Sequence, residues 1–166
     1  MRGGLTTLVA AGALVCAPAA AQQELFDFYL RLVYEGRVNN WDLVDNSAYK
    51  ILGRHAFETE NDELLRNLSH EENMWSKRMA IVATMFYVKR GQFELLKELV
   101  LNNLNHPHDL MHKANGWLLR EMGKKDEEKL LNFLKTHYQN MPRTSLRYAI
   151  EKLDEDLRQD FLKGRI

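Results

Sequence analysis

Residues Met74–Leu104 read "MWSKRMAIVATMFYVKRGQFELLKELVLNNL", two apolar-periodic runs with a glycine between them. Met74, Ala80, Ile81, Thr84, Met85 and Val88 recur with helical spacing and form one apolar stripe. Gly91 then interrupts, at the position where a helix C-terminus expects a residue of left-handed conformation. A second helical run follows over 93–104. Two helices joined by so short a connection must lie antiparallel as a hairpin.

The same unit recurs outward from this stretch. From Gln23 onward the periodicity predicts helices over about 23–36, 41–53, 60–68, 74–90, 93–104, 109–123, 126–137, 143–153 and 155–163. Gly53 and Gly123 sit at expected C-caps, and Pro142 at the first turn of a helix, where its missing N–H costs nothing. No run alternates with period two, and no Asn-Gly hairpin signal appears. The fold class is therefore all-α. Helix pairs repeating at about 35 to 45 residues imply a HEAT-like α-solenoid of antiparallel helix pairs, with a compact bundle as the alternative.

Composition narrows the function classes. At 166 residues and 45% apolar content the chain has enough length for one domain with a core. The formal net charge of zero removes any global electrostatic argument for nucleic acid or an anionic membrane, while leaving room for a one-sided basic face. The single cysteine, Cys16, excludes an intrachain disulfide and a cysteine-rich zinc site.

The first 22 residues, "MRGGLTTLVAAGALVCAPAAAQ", have the layout of a secretory signal peptide, with cleavage expected after Ala21. They are short for a membrane span, and Val15 before Cys16 argues against a lipoprotein. Residues 1–22 are thus expected to be a leader and 23–166 the helical domain. A functional leader implies export or a periplasmic location; a spurious one leaves the protein in the cytoplasm.

Three tryptophans mark the candidate chemistry. In "NNWDLVD", Asn39–Asp45, a core face forms from Leu43, Val44, Ser47, Ala48 and Ile51 at about 100° per residue. Asn40 reads as the N-cap, and Asp42 favours the positive end of the helix. Trp41 and Asp45, four apart, stack on one flank of that face. One reading of Asp45 is a carboxylate paired with an arginine of the next repeat. The other is an anion beside an aromatic wall, suited to a cationic ligand or transition state.

Trp75 opens a core helix, with Arg78 beside its stripe as a candidate phosphate contact. Lys113, Trp117 and Arg120, spaced four and three, make a ridge of cation, aromatic and cation. Asn115 is a polar intrusion into that helix. His106, His108 and His112 have spacing compatible with zinc, but no cysteine or suitably placed glutamate completes a set. Helix capping by His108 or Asp109 explains them more simply, so neither a metal nor a cofactor is expected. No Gly-rich phosphate loop or Ser-His-Asp order is present.

Four segments together resemble the DNA alkylation repair family, the AlkD-like DNA glycosylases. They are "NNWDLVDNSAYKILG" (Asn39–Gly53), "MWSKRMAIVATM" (Met74–Met85), "HDLMHKANGWLLREMGK" (His108–Lys124) and "MPRTSLRYAIEKL" (Met141–Leu153). The resemblance implies a HEAT-like solenoid gripping duplex DNA that contains alkylated bases. It also implies excision of cationic purines such as N3-methyladenine and N7-methylguanine without base flipping.

On motif position it makes Asp45 the catalytic carboxylate and Trp41 and Trp117 the aromatic walls. Arg78, Arg120 and Arg147 become backbone-contacting or supporting cations, joined on the DNA-binding ridge by Lys113. The protein is expected to act as a monomer, away from membranes. Family members usually carry more helices before the active-site helix, so the domain is expected to lack N-terminal helices. The alternative function is a non-catalytic HEAT-like scaffold that binds nucleic acid or protein.

Overall fold

A computed structural model describes residues 19–166. The leader expected over 1–22 therefore lies outside the described residues, except for Ala19–Gln22. Those four residues form the first turn of α1 (Ala19–Tyr34), which begins ahead of the expected start at residue 23. Next come α2 (Trp41–Ala48), a π-helical turn (Tyr49–Gly53), α3 (Arg54–Glu58), α4 (Asp62–His70), α5 (Met74–Ala83), α6 (Met85–Val88) and α7 (Glu94–Asn102). The chain ends with α8 (Asp109–Lys125), α9 (Glu127–His137), a 3-10 turn (Tyr138–Asn140), α10 (Arg143–Ala149) and α11 (Glu155–Lys163). There is no strand among the described residues, and none of their helices is long and apolar enough to cross a membrane.

The helices stack as an α-solenoid of antiparallel pairs. In one layer α2 packs on α5, α5 on α8, and α8 on α10; α4, α7 and α9 back that layer. Hydrophobic burial drives the stacking, because each helix shows one apolar stripe and no single pair can cover both of its faces. Val44, Leu52, Met79, Ile81, Leu96, Leu99, Met111, Leu118 and Leu119 are all essentially inaccessible to solvent. Tyr29 ties α1 into this core. Its hydroxyl meets Ser47 Oγ at 2.7 Å and donates to Met79 Sδ at 3.8 Å. Burial pushes that phenol up to about 12, with the Ser47 contact opposing.

Local chemistry sets the helix ends. Asn40, Asn61, Asn73, Asp126 and Asp154 cap their helices with side-chain oxygens, each satisfying an otherwise orphaned N–H. The expected helix 74–90 is divided at Thr84. Both the Thr84 N–H and hydroxyl bond to the Ile81 carbonyl, tightening the chain there. Gly91 has φ +77°, the left-handed turn that its position implied. The helix expected over 143–153 ends earlier, at Ala149.

Gly53 and Gly123 are not C-caps. Gly53 lies inside a continuous helical path, in the π-helical turn, with φ −63°. A Cβ built on it would sit 2.2 Å from the Ala83 carbonyl oxygen. The missing side chain lets α2 and its continuation approach the end of α5. Gly123 does the same inside α8, where a Cβ would meet Leu130 of α9 at 2.4 Å.

Gly53→Ala is accordingly expected to destabilise the protein by about 2 kcal/mol through overpacking against backbone. Alanine's better helix propensity, about 1 kcal/mol, works in the opposite direction and loses. Urea unfolding of the two proteins checks the sign.

Candidate active site

The α2–α5–α8–α10 layer bears an open cleft of about 340 Å³, bounded by Trp41 and Asp45 of α2, Arg78 of α5, Lys113 and Trp117 of α8, and Tyr148 of α10. Trp41 and Asp45 owe their positions to the N-cap at Asn40, whose side chain accepts from Leu43 N at 2.9 Å. That bond sets the start of α2. Val44, Ser47 and Ala48 then turn into the core, leaving Trp41 and Asp45 on the cleft flank. Trp41 is 57% exposed, an unusual state for a tryptophan that has no partner to cover it.

Asp45 is gripped from the neighbouring repeat. Arg78 Nε donates to Asp45 Oδ1 at 3.0 Å, and Nη2 donates to Oδ2 at 2.7 Å. The third nitrogen, Nη1, donates to the Leu110 carbonyl at the start of α8. Two parallel N–H···O bonds fix both the position and the plane of the carboxylate. Only 5% of Arg78 is accessible, so it is not placed to reach a DNA phosphate as expected. It clamps the carboxylate instead, and both readings of Asp45 hold together: the residue is ion-paired and lines the cleft.

The other expected cations differ in placement. Lys113 lines the cleft, with Nζ 2.8 Å from Asp109 Oδ2. Arg120 also lines it and binds Glu151 through Nη1, while its buried Nε finds no hydrogen-bond partner. Arg147 is exposed on α10 but is not among the residues that line the cleft, and it has no hydrogen bond or ion pair among the described residues. Trp75 is half-buried against the core and does not enter the cleft.

Two contributors escaped the sequence reading. Leu110 matters through its carbonyl, and a backbone acceptor leaves no mark on residue identity. Tyr148 reaches the cleft because α10 crosses α8 at Gly116, where an added Cβ would lie 2.5 Å from Tyr148 Cβ and 2.4 Å from the Ser145 carbonyl oxygen. The signal was present in the glycine directly before Trp117. The intrusive Asn115 is fully buried, and its Nδ2 donates to the Asn103 carbonyl at 3.3 Å, tying α8 to the end of α7.

Histidines 106, 108 and 112 form no metal-holding group with one another or with Cys, Asp or Glu among the described residues. A larger cavity, about 580 Å³, lies at the other end of α2 between Phe26, Tyr49, Ile51, Phe86 and Lys89. It is lined by no tryptophan, and its carboxylate, Glu58, is paired with Arg54 one turn away on its own helix and not from a neighbouring repeat, so the smaller cleft is the better candidate for chemistry.

Residues 6–153 match the family described as DNA alkylation repair enzyme. The chain belongs to that family. The match begins inside the segment with signal-peptide layout. Among solved structures the fold resembles a predicted DNA alkylation repair enzyme from Enterococcus faecalis, with TM-score 0.73 and 19% identity. That alignment covers 92% of this chain and 68% of the other. A search of curated proteins gives no match. Membership supports a role in DNA repair, with DNA as the substrate the family implies.

Removing the carboxylate charge should be costly, because it strands a nearly buried guanidinium. Asp45→Asn and Arg78→Met are each expected to lose about 2–4 kcal/mol of stability. The double variant should lose clearly less than their sum. Denaturant unfolding of the four proteins measures the coupling, and full additivity would mean that the pair is not formed in solution.

Proposed function

We propose that the protein is a monofunctional DNA glycosylase that excises cationic alkylated purines, such as N3-methyladenine and N7-methylguanine, from duplex DNA. The observation that carries this reading is a carboxylate held in fixed orientation by Arg78, in an open cleft between Trp41 and Trp117.

Alkylation at N3 or N7 places positive charge on the base and makes it a good leaving group. As the bond from the base nitrogen to C1′ lengthens, its electron pair goes to the base, which departs neutral. Positive charge grows on the deoxyribose. Asp45 beside that sugar stabilises the oxocarbenium-like transition state, and its oxygens accept a hydrogen bond from the attacking water. Water adds at C1′ and loses a proton to solvent.

Trp41 and Trp117 offer aromatic faces to the same developing charge. Their effect is strongest where the strand excludes water from the cleft. Arg78 acts on Asp45 and not on DNA. Lys113, Arg120 and the exposed Arg147 supply the electrostatic component of backbone binding, which positions the duplex without reading its sequence. The cleft is open and not an enclosed pocket, which suits a lesion attacked without flipping the base.

A radiolabelled duplex containing N7-methylguanine should release free 7-methylguanine with the wild-type protein. At a temperature where Asp45→Asn remains folded, release should fall by at least about a hundredfold. Salt-sensitive duplex binding with no release by either protein would leave the scaffold reading in its place.

A further inference from the structure

The run "HPHDL", His106–Leu110, forms a chain of hydrogen bonds that ends at the candidate catalytic carboxylate. The His108 backbone N–H donates to His106 Nδ1 at 3.1 Å. The Leu110 N–H in turn donates to His108 Nδ1 at 3.2 Å, so His108 is the N-cap of α8. Leu110's own carbonyl receives Arg78 Nη1, and the other two nitrogens of Arg78 grip Asp45. Leu110 is thus held on one side by His108 and on the other holds Arg78.

This arrangement depends on charge state. A ring nitrogen accepts a hydrogen bond only while its lone pair is free, so both Nδ1 atoms must be unprotonated. His112 differs: its Nε2 lies 2.6 Å from the His106 carbonyl, where it must donate, and it does so in either charge state. Protonation therefore breaks the contacts of His106 and His108 and leaves that of His112 intact.

We propose that His108 is a positioning residue for Asp45, acting through Leu110 and Arg78, and that protonation of the His106–His108 pair loosens the carboxylate. Its consequence for base release rests on the glycosylase reading above; the relay itself is a property of the free protein. The charged and titratable groups around the pair are Lys77 from α5 and Asp109, His112 and Lys113 from α8. Asp109 is engaged by Lys113 and by Thr144 of α10.

His106 is held below the ordinary imidazole range, first by burial and then by Lys77, His108 and His112. The fold thus favours neutral His106. Its contribution is complete above the ordinary histidine range and is lost as pH falls below it.

His108→Asn separates the relay from a merely structural cap, since asparagine supplies a cap acceptor that does not titrate. In nitrogen-15 NMR of the free protein, the Leu110 amide and Arg78 Nε–H of wild type should lose exchange protection in step with protonation of the histidine rings as pH is lowered. In His108→Asn both should stay protected, and only the residue-108 amide, which still rests on His106 Nδ1, should lose protection. In base release, wild type should show an acid limb of about fivefold, the scale of one lost cap, and the asparagine variant should flatten it.

An Arg78 signal that ignores the histidine titration, or an identical acid loss in His108→Asn, overturns the proposal. If neither protein releases base at any pH, the glycosylase reading fails, and the NMR comparison still decides the relay.

Discussion

The bidentate pair between Asp45 and Arg78 is the contact on which the site depends. It joins α2 to α5, and through the Leu110 carbonyl it joins both to α8. Three successive repeats therefore meet at one guanidinium. Such a pair adds little net stability, because desolvating two charges offsets most of their attraction. Its value lies in geometry. A carboxylate on a single helix flank rotates freely; one held by a planar fork does not.

The surrounding fold protects that geometry. α-Solenoids are held by nearest-neighbour interfaces, so a change in spacing between two repeats passes directly into any site built across them. Gly53 and Gly116 set two of those spacings, α2 to α5 and α8 to α10, by letting backbone approach backbone. The first governs the distance from Asp45 to Arg78. The second brings Tyr148 up to Trp117. Residues with no chemistry of their own thus control where the chemical groups stand.

Electrostatics in the cleft are local. The chain carries no net charge, and the cleft cations Lys113 and Arg120 each have an acidic neighbour. On the function proposed above, a duplex at this face would compete with Asp109 and Glu151 for those cations, while Arg147 has no such neighbour among the described residues. Association on such a surface relies on matching positions more than on a broad attractive field.

Much was legible in the residues alone. Helical period, the turn at Gly91 and the asparagine caps determine local structure, because they act within a few residues along the chain. The pairing of Trp41 with Asp45 on one flank follows from the four-residue spacing. Sequence misplaced Gly53 and Gly123, since a glycine that ends a helix and one that admits a neighbouring helix look the same in one dimension. It left open whether Arg78 contacts a backbone or supports the site, and the fold brings it against Asp45 in the cleft wall. The sequence by itself determined which residues could share a helix face. Only the tertiary structure decided which faces meet: the Asp45–Arg78 pair spans 33 residues, and its Leu110 anchor is a carbonyl that every residue possesses.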